Sequence, residues 1–334
     1  MTRSWLWTVI VHVLLAVPDA VAVDWVRGGT DGRQPVWGIR GGVQFAIPPA
    51  SYGPRGLVRI LYPTLPNGKY DLINFIAVEP IVRGRRAFSE LEPSRLDATA
   101  GKRMWVDASE VRGKLSRASD AIEQLQVVIH VEPFDNGAHV RLIVEQRSDR
   151  PDEIALTVTP EPDSSPMEYC ILTATMGNRA RTRLFWLKDE VVSSLTLYPD
   201  YRGTDFAPHA VYPLPRLTVT EAGDLVVAIT TDEHHPADTR PFPGTDRWYY
   251  GGFPVTQFWK MAGRTWRDDV HVAVNARYTY WRNDRPIPGG IAFENFELRE
   301  RFRPGQQFIF GVSRSTPAEL GLRPTASQPQ TAPP

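Results

Sequence analysis

Two neighbouring stretches of this chain carry apolar residues at every second position. Leu125, Val127, Ile129 and Val131 alternate with Gln126, Val128, His130 and Glu132. Beyond Asp135-Asn136-Gly137, residues Val140, Leu142 and Val144 alternate with His139, Arg141, Ile143 and Glu145. A period of two puts one set of side chains on a buried face of a strand and the other set on a wet face, and an Asn-Gly turn between two such runs predicts a β-hairpin over 125–146. Further short strands are predicted at 42–47, 57–61, 70–82, 154–159, 169–174, 184–187, 191–198, 216–220, 225–231, 270–281, 291–298 and 307–312. Turn chemistry such as Glu221-Ala222-Gly223-Asp224 and Arg303-Pro304-Gly305 separates them. The pattern predicts one short helix, at 116–124. Short strands at regular spacing, without alternating helices, define an all-β chain: a large antiparallel β-sandwich with few short helices.

The ends read differently. Met1-Thr2-Arg3-Ser4, an apolar run over 6–17 and the triplet Ala20-Val21-Ala22 follow the order of a secretory signal peptide, so 1–22 is expected to be removed and the protein exported, periplasmic or extracellular. The run is shorter than the roughly 20 residues a bilayer demands, and no membrane span is expected after cleavage. A single β-sandwich domain is expected over 23–312, followed by a Pro-, Thr- and Gln-rich tail over 313–334 with too little apolar surface to fold. The single cysteine, Cys170, permits no intramolecular disulfide and lies within an apolar strand, where a thiol is buried and inert. With 38 Lys and Arg against 38 Asp and Glu and no basic stripe, nothing favours nucleic acid as a partner.

Candidate chemistry concentrates late in the chain. In the strand 270–281, Val270, Val272, Val274, Ala276, Tyr278 and Tyr280 take one face. His271, Ala273, Asn275, Arg277, Thr279 and Trp281 take the other. An imidazole, an amide, a guanidinium, a hydroxyl and an indole in one row suit a sugar, whose hydroxyls require paired donors and acceptors and whose C–H face packs on a ring. The same row would also serve as an ordinary solvated sheet face. The aromatic-dense stretch 242–266 offers Trp248 and Trp259 as stacking platforms, or else caps the core. If the strand 291–298 alternates regularly, Glu294 shares a face with Ala292, Phe296 and Leu298. An apolar setting raises a carboxyl pKa and suits acid–base work, with His271, His209 or Arg277 as partner, whereas a salt bridge to an arginine is the structural alternative. Adjacent His234 and His235 point to opposite faces of a strand and do not make a shared metal site, so no metal and no cofactor are expected. P-loop, dinucleotide, G-x-S-x-G and H-E-x-x-H signatures are missing.

This long run of antiparallel strands closes with Ile291-Ala292-Phe293-Glu294-Asn295-Phe296-Glu297-Leu298 and then Phe302-Arg303-Pro304-Gly305-Gln306-Gln307-Phe308-Ile309-Phe310-Gly311. Over about its last two thirds it resembles the galactose mutarotase-like supersandwich. The N-terminal run Trp37-Gly38-Ile39-Arg40-Gly41-Gly42, with 70–92, looks like exported bacterial proteins that carry no assigned reaction. The supersandwich resemblance implies a carbohydrate ligand. It also implies a glutamate base and a histidine acid, for which Glu294 with His271 or His209 are the matching positions; the chain lacks the family's clear pair of motif histidines. Three functions of different class follow: a carbohydrate-binding protein, a sugar epimerase or polysaccharide lyase with a Glu/His pair, and an envelope or surface interaction protein without sugar chemistry. Shared architecture alone does not choose among them.

Overall fold

The computed structural model describes residues 23–29, 35–47, 55–64, 66–175, 181–232, 240–241, 249–250, 255–263, 265–280 and 285–324. Two large antiparallel sheets face each other. The first runs, in spatial order, Trp25–Val26, Val36–Ile39, Gln44–Ala46, Leu57–Tyr62, Asp71–Val82, Tyr169–Thr175, Ala292–Arg299, His271–Arg277 and Ala210–Pro213. The second runs Val191–Ser193, Thr182–Trp186, Leu225–Thr231, Thr256–Met261, Gln306–Ser313, Glu153–Pro160, Val140–Arg147, Ile122–Val131 and Met104–Trp105. The all-β sandwich expected from the alternation is therefore the fold.

The hairpin forms as predicted. Val127 pairs with Val144 and Ile129 with Leu142, and their inward side chains are fully or almost fully buried. Elsewhere packing overrides local pattern. The 116–124 stretch is not a helix: Lys114–Ser119 is an exposed strand that folds back on the start of Ile122–Val131. Within 191–198 only Val191–Ser193 is strand. Ser193 then caps a single helical turn, Ser194–Leu197, its hydroxyl accepting the Leu195 N–H.

The core lies between the sheets and is rich in rings, among them Trp37, Phe45, Phe185, Phe293, Phe296, Phe308 and Phe310. Trp259, from the second sheet, is sealed among them, in edge contact with Phe310 at 4.9 Å. Its Nε1 donates to the Phe296 carbonyl of the first sheet at 2.8 Å. A second polar tie crosses the sandwich from Asn74 Nδ2 to Gln257 Oε1 at 2.7 Å. The expected tail also needs correction for 313–324: Ser313 ends a core strand, and Leu322 is fully buried against Val226, Ala228 and Phe258. Two leucines, Leu320 and Leu322, supply the apolar surface that the composition of this stretch conceals. Residues 1–22, with the signal-peptide pattern, lie outside the described residues. Among the described residues no helix is long and apolar enough to cross a membrane.

Candidate functional site

The site grows from the Asp71–Val82 strand of the first sheet. After Val82 the chain reverses through Arg83 and Gly84, both at positive φ (50° and 71°), the conformation a tight two-residue hairpin turn demands. The returning strand places Arg86 opposite Ile81, on the sheet face turned away from the core. Ala87 and Ser89 continue the ladder to Pro80 and Val78. From that position the Arg86 guanidinium reaches diagonally to Glu79, Nε to Oε2 at 2.7 Å, and on to Glu297 Oε1 of the Ala292–Arg299 strand at 3.4 Å. Arg299 Nε donates to the same Glu297 oxygen at 2.8 Å.

A β-bulge sets the phase of the neighbouring strands. Val274 pairs with Phe296 but Ala276 pairs with Phe293, so Asn275 faces two residues, Glu294 and Asn295. The Asn275 side chain compensates: its Oδ1 accepts the Asn295 backbone N–H at 3.0 Å, and its Nδ2 lies 3.4 Å from His209 Nε2. His209 Nε2 is in turn 3.9 Å from Glu297 Oε1. Phe206, 46% exposed, bridges to Arg277 at the sheet edge and lies 5.2 Å under its guanidinium, which also donates to the Thr204 carbonyl at 2.6 Å.

This face is not an open solvated exterior. Glu79 and Thr173 are almost fully buried, and so are Ala273, Asn275 and Glu297. His209 and Arg86, with 30% and 26% of their side chains exposed, are the members of the cluster that reach solvent. Among the described residues Glu297 Oε2 and Thr173 Oγ1 are buried without a hydrogen-bond partner. Burial, and then the neighbouring Glu297 charge, push the Glu79 carboxyl up to about 7 despite Arg86. Burial pulls His209 below the ordinary histidine value, against the opposing pull of Glu297. Near neutrality the cluster therefore combines a carboxyl that still holds a proton part of the time with a neutral imidazole, the setting of acid–base chemistry.

The row predicted from period two holds in part. His271, Ala273, Asn275 and Arg277 do share the outward face, and Asn275 and Arg277 join His209 and Phe206. His271 lies four residues along the strand from Asn275, about 13 Å at strand rise, with Nδ1 3.0 Å from the Asp269 carbonyl. Glu294 is buried in the bulge, and the expected alternation fails there. Phe293, Phe296 and Leu298 face the core, and the carboxylate that meets His209 is Glu297. Trp259 is a core residue and offers no platform. Trp248, Trp281, His234 and His235 lie outside the described residues. Cys170 is buried, with its thiol pushed up by desolvation, so no thiolate is available. Among the described residues no three His, Cys, Asp or Glu side chains gather as metal ligands.

Sequence reasoning missed Glu79, Arg86, Glu297, Arg299 and Phe206. The signal for Glu297 was present, a charge between Phe296 and Leu298, but the unseen bulge shifted the phase. For Glu79 the signal was an acid inside the otherwise apolar run 75–82.

Fold and site together define a two-sheet antiparallel sandwich with a buried carboxylate–guanidinium–imidazole cluster on one outer face. No family model matches the chain, and no curated protein matches it. Among solved structures the chain is similar to a GalM/aldose epimerase homologue from C. elegans, at 10% identity and a TM-score of 0.25, over 87% of this chain and 99% of that one.

Proposed function

We propose that this is an exported carbohydrate-directed protein whose first-sheet cluster moves protons at a bound sugar. The observation that carries the reading is the meeting of Glu79, Glu297 and His209. Two buried carboxylates from strands separated by Tyr169–Thr175 share Arg86, behind a half-exposed imidazole. Nε2 of His209, the nitrogen that accepts from Asn275 Nδ2 at rest, takes the proton of a sugar hydroxyl, and the buried Glu297 charge 3.9 Å away offsets the imidazolium that forms. Arg86 donates to the ring or carbonyl oxygen at which negative charge develops, and Phe206 supplies a ring for a pyranose C–H face. Ring opening of an aldose and epimerisation both need such a pair.

The test is exchange between sugar anomers, followed by NMR across a panel of aldoses. Replacing His209 by Ala or Glu297 by Gln is expected to lower turnover by about 10²–10⁴, the usual worth of general acid–base catalysis. Unchanged turnover in both variants on a confirmed substrate would end the catalytic reading. Failure of the wild-type protein to bind any sugar would end the carbohydrate reading with it.

A further inference from the structure

The opposite outer face, that of the second sheet, carries a cleft of about 280 Å³ remote from His209. Its floor is small and apolar, Ala155 and Ile309, directly paired across neighbouring strands. Its walls are polar and already ordered. Glu145 Oε1 accepts from Gln124 Nε2 at 2.7 Å and Gln126 Nε2 at 2.9 Å, and Gln307 Nε2 donates to Thr157 Oγ1 at 3.0 Å. Four charged side chains line it, two of each sign: Glu145 and Glu153 with Arg147 and Arg150, of which Arg147 forks onto Asp149 at 2.9 Å and Glu153 is held by Lys260. With two charges of each sign the lining carries no net charge to favour an ionic ligand. A hydroxyl suits it, because it donates to a carboxylate and accepts from a guanidinium or amide at once.

A second feature lies on the same face. Trp105, 41% exposed, pairs with His130 and stacks on its ring, centroids 5.5 Å apart. Gln124 at the cleft and His130 at the indole belong to one strand, Ile122–Val131, six residues apart, or about 20 Å at strand rise. Side chains at even positions of that strand point to this face, so cleft and indole lie along one line.

We infer that the outer face of the second sheet is a binding track for a neutral glycan chain, with one saccharide unit in the Ala155–Ile309 cleft and another stacked on Trp105. The inference rests on the carbohydrate reading above but concerns a different surface, one that holds a polymer rather than transforming a sugar.

Native affinity electrophoresis through gels containing soluble β-glucan, arabinoxylan or galactomannan, with polygalacturonate alongside, tests it. The wild-type protein is expected to be retarded by at least one neutral polymer. Filling the cleft with Ala155→Arg is expected to weaken that retardation at least tenfold. Trp105→Ala, a surface change that leaves the core untouched, is expected to weaken it by a similar factor at unchanged Tm. Retardation by neutral polymers that both variants retain in full would overturn the inference. So would retardation by polygalacturonate alone, or by no polymer. Because retardation needs no turnover, a result in which the His209 and Glu297 variants keep full activity would fell the first-sheet mechanism and leave this measurement standing.

Discussion

Glu79 shows how a single residue acquires a property that its sequence neighbourhood does not reveal. Its carboxyl is raised from an ordinary value of 4.5 to about 7 by burial and by the Glu297 charge. Between those two values the folded state binds more protons than the unfolded one, so this residue's contribution to stability falls as pH rises through that window. His209 acts in the opposite sense: its folded pKa lies below 6.5, so its contribution is lost as pH falls through and below that value. Glu79→Gln keeps an acceptor for Arg86 and removes the titration. Urea denaturation at pH 5 and pH 8 should therefore show the wild-type protein losing stability relative to the variant at the higher pH. Parallel behaviour of the two proteins would contradict the assigned environment. The alternation in 270–281 made Asn275 and Arg277 legible as outward residues. Glu79 and Arg86 lie about two hundred residues upstream of them, and nothing local announces that the sheet order brings them together.

At the scale of elements, two irregularities place the site. The bulge opposite Asn275 leaves the Asn295 backbone N–H to be satisfied by a side chain. Asn275→Ala removes that acceptor and should cost about 1–3 kcal/mol, the usual price of an orphaned buried donor, measurable as a shift in the urea midpoint. The second irregularity is the junction where Leu57–Tyr62 gives way to 85–89 as neighbour of the Asp71–Val82 strand. Gly56 has φ of 73°, and a Cβ there would lie 1.7 Å from the Ser89 carbonyl oxygen; the Ser89 hydroxyl ties the corner to Gly56 O and Val78 N. Gly56→Ala should therefore destabilise by more than about 1 kcal/mol through strain alone, and should loosen Arg86 from Glu79. A melting temperature equal to wild type would refute this. The hairpin over 125–146 was legible because both its strands and its turn are local. The 116–124 stretch was misread as a helix because an exposed edge strand has no buried face to impose a period.

For the whole molecule, the rings between the sheets decide stability. Trp259 couples the layers both by packing and by its bond to Phe296 O. Its replacement by Ala should cost about 3–5 kcal/mol, the range for large aromatic truncations in cores, visible as a reduced midpoint in thermal or urea unfolding. The proposed export makes a prediction for the whole chain: if Ala20-Val21-Ala22 is cleaved as a signal peptide, the secreted product begins at Val23. Intact-mass measurement of the secreted product checks it, and a product retaining Met1-Thr2-Arg3 would be the contrary result.

Alternation, turn residues and composition by themselves determined the principal hairpin, the inert cysteine and the sandwich class, because each depends on side chains a few positions apart. Tertiary structure alone decided which carboxylate meets which imidazole, that Trp259 is core and that Leu322 is buried. Those outcomes depend on sheet order and on one inserted residue in a bulge, and a shift of a single position moves every following side chain to the other face.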